Sequence, residues 1–222
     1  MKALFNLFLV GAFLLTGCEL DNVDPPSSTL SGRVIYQDQP VGVRTNGVQL
    51  ELWQRGYQLF TKIPVYVNQD GSYSATLFDG NYKLVRLRDS GPWMNNTDSI
   101  DVQVKGNTVI DVPVQPYYIV RNATFAKAGS VITATGQVSQ AMAGRTIEAV
   151  TLYLNTTQFV DNNNSLIGQT SKTGTALSNL AQPLSFSFTL PATVRGVCYA
   201  RLGVKTQGVT ELFYSPVQKI EF

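Results

Sequence analysis

From Leu30 onward, apolar and polar residues alternate with a period of two over short stretches. That is the pattern of half-buried β-strands, whose successive side chains point to opposite faces. It predicts strands over residues 30–36 and 48–53 separated by a polar, Gly-containing loop, then three alternating runs between Val65 and Val85, and further strands over 100–104 and 109–114. Asp70-Gly71 and Asp79-Gly80 punctuate the three central runs. Both residue types tolerate positive φ, so each pair predicts a tight hairpin turn. About seven strands by Val114 suffice for one small sandwich. Pro116 then interrupts the pattern, which places a boundary near Val114-Gln115-Pro116 and domains over 30–115 and 116–222. Six more strands are expected over 117–125, 131–138, 147–154, 184–190, 197–206 and 212–221. The polar interval 155–182 reads as loops with one short strand or turn near 165–169. No stretch sustains the 3.6-residue apolar period of a helix. The expected fold is all-β: two β-sandwich domains, the second immunoglobulin-like.

The amino terminus has a different pattern. Behind Lys2, residues 3–15 are apolar except for Asn6, a run of thirteen residues. A membrane-spanning helix needs roughly twenty, whereas the apolar region of a signal peptide needs about 7 to 15. Leu15-Thr16-Gly17-Cys18 follows and resembles the signal-peptidase II site of bacterial lipoproteins. Residues 1–17 are therefore expected to be a lipoprotein signal peptide, with Cys18 lipidated and tethering the chain to the membrane through residues 18–29. That tether is rich in acidic residues, Pro and Ser, which favours an extended segment. Its acidic residues resemble the surface-export signal of Bacteroidetes lipoproteins and equally fit a solvated linker. The expected location is the outer membrane, at the cell surface.

Composition narrows the chemistry. The 222-residue chain carries 17 Lys+Arg against 15 Asp+Glu, a net charge of +2, with no basic stripe that would recommend a nucleic-acid partner. It contains no histidine. That removes the commonest general base, the His-dependent nucleophile pairs and the usual zinc ligand sets, so no metal, cofactor or enzymatic activity is expected. Paired carboxylates remain chemically open to a glycosidase, but Asp70 and Asp79 are already explained by their turns. Of the two cysteines, acylation of Cys18 leaves Cys198 without a partner, and alternation places it inward as a buried thiol. Asp161-Asn162-Asn163-Asn164-Ser165 is oxygen-rich but fails calcium-loop spacing, with Leu166 where glycine and Lys172 where glutamate is needed. It reads as a solvated loop.

Trp93 is the principal candidate for ligand binding. In Gly91-Pro92-Trp93 the proline fixes its own backbone angle and restricts the glycine, so the indole is presented from a loop. An aromatic face suits the C–H surface of a sugar ring, with Arg88, Asn95, Asn96 and Asp98 near in sequence to bond its hydroxyls. The competing reading is a tryptophan that plugs a sandwich end or an interdomain seam. Trp53, at a strand end, is expected in the core, and Tyr117-Tyr118 is expected to place one ring between the domains. Asp98-Ser99-Ile100 resembles the Bacteroidetes O-glycosylation triplet, which would put a glycan on Ser99.

The rhythm of Gly-x-Tyr and Asp-Gly-x-Tyr in the first half resembles prealbumin-like, carboxypeptidase-regulatory-like sandwiches. The run from Leu30-Ser31-Gly32 through Trp53-Gln54-x-Gly56-Tyr57, Asn68-Gln69-Asp70-Gly71-x-Tyr73 and Phe78-Asp79-Gly80-x-Tyr82 to Gly91-Pro92-Trp93, continuing through Pro116-Tyr117-Tyr118, resembles the DUF3823 lipoproteins of Bacteroidetes. The resemblance implies a two-domain lipoprotein associated with polysaccharide utilisation, with no reaction to carry over. The expected partners are an oligosaccharide, or the outer-membrane glycan importer and its binding lipoproteins. The alternative is a structural or assembly protein, such as a fimbria-like or scaffold subunit, that pairs strand edges with a partner chain.

Overall fold

The computed structural model describes residues 24–56 and 60–221. The expected signal peptide, Cys18 and Tyr57 lie outside the described residues. The first half forms two packed sheets. In one, β1 (Ser28–Tyr36) is central: it pairs antiparallel with β5 (Ser72–Leu77) and with β2 (Gln39–Pro40), and parallel with β8 (Asn107–Val109) and β9 (Val112–Pro113). In the other, β4 (Lys62–Tyr66), β3 (Gln49–Trp53), β6 (Gly80–Arg86) and β7 (Ser99–Val104) lie side by side, all antiparallel. Alternation sets the buried faces as expected, with Leu50 and Leu52 of β3, Tyr82 and Leu84 of β6, and Val102 and Val104 of β7 all turned into the core.

Two expectations about connections are corrected. The runs flanking Asp70-Gly71 and Asp79-Gly80 are not hairpins: β4 and β6 both flank β3, while β5 pairs with β1 in the opposite sheet. Asp70 still caps a reversal, accepting from the Ser72 amide at 3.0 Å, and Gly71 sits at φ 86. An Asp-Gly pair specifies a reversal locally; the edge that receives the next strand is decided by which apolar faces must meet. The single strand expected over 109–114 is instead the two short pieces β8 and β9. Between them the Ile110 carbonyl leaves the ladder to accept from the Tyr73 hydroxyl at 2.6 Å. It also presses on Gly32 so closely that a Cβ there would lie 1.8 Å from the carbonyl oxygen.

The second half packs a three-stranded sheet on a five-stranded one. The sheet β10 (Tyr118–Ala128), β11 (Val131–Gln140), β14 (Leu184–Thr189) faces β13 (Gly168–Thr173), β12 (Ile147–Asn155), β15 (Val197–Thr206), with β16 (Phe213–Tyr214) and β17 (Gln218–Glu221) both on the far edge of β15. This is an immunoglobulin-like arrangement. β13 runs later and longer than the turn expected near 165–169. Its sequence, GQTSKT, has no apolar alternation, so only its ladder to β12 reveals it. A 3-10 turn over Gly174–Leu177 is the sole helical piece among the described residues. Cys198 is fully buried on β15, where burial pushes its thiol pKa up, and Tyr118 is buried at the start of β10.

One buried cluster runs through both sandwiches, and a guanidinium holds the seam. Arg201 of β15 is 0 % exposed. Its Nε donates to the Ser215 carbonyl at 2.7 Å, its Nη1 to Val43 at 2.9 Å and its Nη2 to Gln69 at 2.8 Å, the last two in the first sandwich. The guanidinium also lies 4.4 Å from the centroid of the Tyr214 ring. Burial pushes the Arg201 pKa down to about 10, opposed by the charges of Asp161 and Asp70, so the group stays charged at neutral pH. Asp161, expected in a solvated loop, is buried here, with Oδ1 accepting from the Asn163 amide and the Asn164 side chain at 2.9 Å each. Nearby, Arg44 grips Glu211 through two nitrogens, Nε to Oε2 at 2.9 Å and Nη2 to Oε1 at 2.7 Å.

The buried phenols predict the alkaline limit of the fold. Burial raises the pKa of Tyr73, Tyr153 and Tyr214 above the ordinary value of 10.0. The unfolded chain loses these protons near its ordinary value and the folded chain does not. Their contribution is therefore fully present below about pH 10 and is lost as pH rises beyond it. The lowered pKa of Arg201 acts with the opposite sign in the same range, one group against three. Cooperative unfolding above about pH 10 is expected, with tyrosinate absorbance from these three rings appearing together with the loss of β-structure. Their ionisation in an intact fold would contradict the assignment.

Candidate functional site

The cluster expected around Trp93 does not form a binding surface. The indole is 5 % exposed and packed inward, with Trp93 bridging to Pro116 across the domain boundary. A Cβ on Gly91 would lie 2.2 Å from the ring, so the absence of a side chain there is what lets the indole fold back over its own loop. The reading of Trp93 as a sugar platform is therefore corrected to that of a seam plug. Asn95 and Asp89 satisfy each other: the Asp89 amide donates to Asn95 Oδ1 at 2.9 Å and Asn95 Nδ2 to Asp89 Oδ1 at 2.8 Å. Asn96 Oδ1 accepts from the Asp98 amide at 2.6 Å. Arg88 and Asp98 are exposed, but the loop offers no aromatic face between them. Ser99 is exposed at the start of β7.

The tryptophan that does reach the surface is Trp53, which was expected in the core. In Gln49-Leu50-Glu51-Leu52-Trp53 the two leucines face inward, so Trp53 shares the outer face with Gln49 and Glu51. Ladder register then assembles a row across four strands, in which Lys62 pairs with Trp53, Trp53 with Lys83, and Lys83 with Asp101. Phe60 stands over this row, 53 % exposed, with its ring centroid 5.1 Å from that of Trp53 and the planes at 41°. Trp53, Phe60, Lys83 and Asp101, together with Arg55, Asn81 and Val85, line a shallow groove of about 440 Å³, with Lys62 outside its lining.

Polar contacts beneath the groove hold the indole in place. Trp53 Nε1 donates to Glu51 Oε2 at 3.2 Å, and Lys62 Nζ lies 2.6 Å from Glu51 Oε1. Lys83 pairs with Asp101 on the neighbouring strand. The result is a pair of tilted aromatic rings rimmed by an amide, a carboxylate and cations. That combination suits a ligand with apolar C–H faces and peripheral hydroxyls.

A larger cleft of about 650 Å³ lies at the seam, lined by Tyr36, Gln69, Asp70, Arg121 and Phe213 among others. Its charged groups are engaged within the protein: Arg121 donates to Gln37 Oε1 at 2.6 Å and Asp70 accepts from the Ser72 hydroxyl at 2.7 Å. The Trp53 groove, with an exposed Phe60 ring and a half-buried indole, is the stronger candidate.

Comparison with known proteins places this geometry in a family. A model described as the N-terminal domain of a protein of unknown function, DUF3823, matches residues 28–115, and a second, the DUF3823 C-terminal domain of unknown function, matches 118–219. A crystal structure of a DUF3823 protein from Bacteroides ovatus is 39 % identical, with a TM-score of 0.81 over 87 % of this chain and 98 % of that one. One from Parabacteroides merdae is 34 % identical, with a TM-score of 0.80 over 89 % of this chain and 100 % of its own. A Bacteroides uniformis structure described as a candidate carbohydrate-binding protein shares the fold at 22 % identity, with a TM-score of 0.70 over 89 % and 100 % of the two chains. No curated protein matches. The chain belongs to the DUF3823 family and carries both of its domains.

Proposed function

We propose that this protein is a non-enzymatic lipoprotein of the outer membrane, exposed at the cell surface through lipid on Cys18, that serves glycan acquisition by binding oligosaccharide on its Trp53–Phe60 face. The observation that carries this reading is the exposed Phe60 ring tilted against the half-buried Trp53 indole in a groove with Asn81, Lys83 and Asp101. The Bacteroides uniformis protein of the same fold, described as a candidate carbohydrate binder, supports it. Binding without chemistry fits the carboxylates of the site. Glu51 is held by Lys62 and Trp53, and Asp101 by Lys83, whereas a glycosidase needs a free acid and base facing each other across the scissile bond. The glycan importer and its binding lipoproteins are the protein partners this role implies. Assembly through strand edges is less well supported, since β4 carries Pro64 on its edge and β13 is polar throughout.

A glycan array with the soluble chain beginning after Cys18 tests the reading. The wild type is expected to bind, and Trp53→Ala to weaken binding about tenfold while changing stability by less than about 1 kcal/mol, because the indole is only half-buried. No glycan signal from the wild type, or unchanged affinity in Trp53→Ala, would remove the proposal's main support.

A further inference from the structure

We infer that the groove selects acidic oligosaccharides, with a uronic acid carboxylate held on Arg55; the inference rests on reading the groove as a glycan site. Its basis is the charge pattern around the rings. Three cations border them, and two are already neutralised: Lys83 by Asp101 on the adjacent strand, and Lys62 by Glu51 at 2.6 Å. Arg55 is exposed on the groove lining and, among the described residues, has no acidic partner. The site therefore carries one uncompensated positive charge, two residues beyond Trp53. Next to it Gly56 sits at φ 102 with nothing within 4 Å of an added Cβ, so the backbone there is open to solvent.

The remaining groups reinforce the choice. A guanidinium presents a planar fork that matches a carboxylate with two parallel hydrogen bonds. The carboxylates of Asp101 and Glu51 are already paired with Lys83 and Lys62, so an anionic sugar over the rings meets no free carboxylate there and finds its counter-charge at Arg55. Because Arg55 is exposed, its pairing with the ligand is expected to favour the anion by about fivefold, an advantage that shrinks as salt screens it.

The test is titration calorimetry of the chain beginning after Cys18 with trigalacturonate and with its methyl ester, which keeps the sugar faces and removes the charge. The wild type is expected to prefer the free acid about fivefold at low salt, and Arg55→Gln to bind acid and ester equally. Trp53→Ala is expected to weaken both ligands alike. Equal binding of acid and ester by the wild type, or a preference that survives Arg55→Gln, would overturn the inference. If neither trisaccharide binds while a neutral glycan still binds through Trp53, the acidic preference falls and the reading of the groove stands. Absence of all glycan binding removes both.

Discussion

Trp93→Ala is expected to lower the unfolding free energy by about 4 kcal/mol and to leave glycan binding by the remaining folded protein unchanged. The indole is buried where the sandwiches meet, packed on Gly91 beside the Trp93–Pro116 bridge. Removing it deletes a large apolar side chain from a close-packed region that cannot collapse freely, because both flanking segments are tied: Met94 donates to the Gln115 carbonyl at 2.9 Å and Tyr117 to the Pro92 carbonyl at 3.3 Å. The measurement is the urea midpoint followed by circular dichroism, and a loss below about 1 kcal/mol would show that the ring is dispensable to the core. The comparison with Trp53→Ala is the informative one. One tryptophan is expected to govern stability and the other binding, the reverse of the roles expected for them from the sequence.

The second large effect is expected at Arg201. Arg201→Met is expected to destabilise the chain by about 3 kcal/mol. Two effects oppose each other there. Relieving a buried cation is favourable, and the lowering of its pKa to about 10 shows that its burial has a cost. Against that, methionine leaves the carbonyls of Ser215 and Val43 without their Arg201 donor, at about 1 to 3 kcal/mol each, and the Gln69 carbonyl with only the Val43 amide at 3.3 Å. The lost donors outweigh one desolvated cation. Arg201→Lys is expected to recover little, since a single ammonium cannot reach three acceptors placed around a planar fork. Full stability in the lysine variant would mean that charge alone holds the seam. Because Val43 and Gln69 belong to the first sandwich and Arg201 to the second, both variants are also expected to make the segments around residues 43 and 69 more accessible to protease.

Much of the fold was legible from the alternation of apolar and polar positions. The strand segments, the break near Pro116 and the inward orientation of Cys198 all follow from a period of two and from the missing N–H of proline. The phase of Trp53 was legible as well: two inward leucines in Gln49-Leu50-Glu51-Leu52-Trp53 put the indole outside, a signal that the general tendency of tryptophan to be buried obscured. β13 was not legible, because a polar edge strand has no alternation to read. Nor was the row Lys62, Trp53, Lys83, Asp101, whose members come from four strands and meet only through ladder register.

Short-range patterning fixes most of the strands and the apolar face of each, because these depend on neighbours two residues apart, and motifs spread along both halves carry the family. Tertiary packing sets how the strands pair, seats the Trp93 indole in the seam, and brings an arginine to close the contact between the sandwiches. Those outcomes depend on the matching of surfaces distant in sequence: Gly91 makes room for one indole, and the carbonyls of Val43 and Gln69 receive the guanidinium of Arg201. Period-two patterning carries no information about such distant partners.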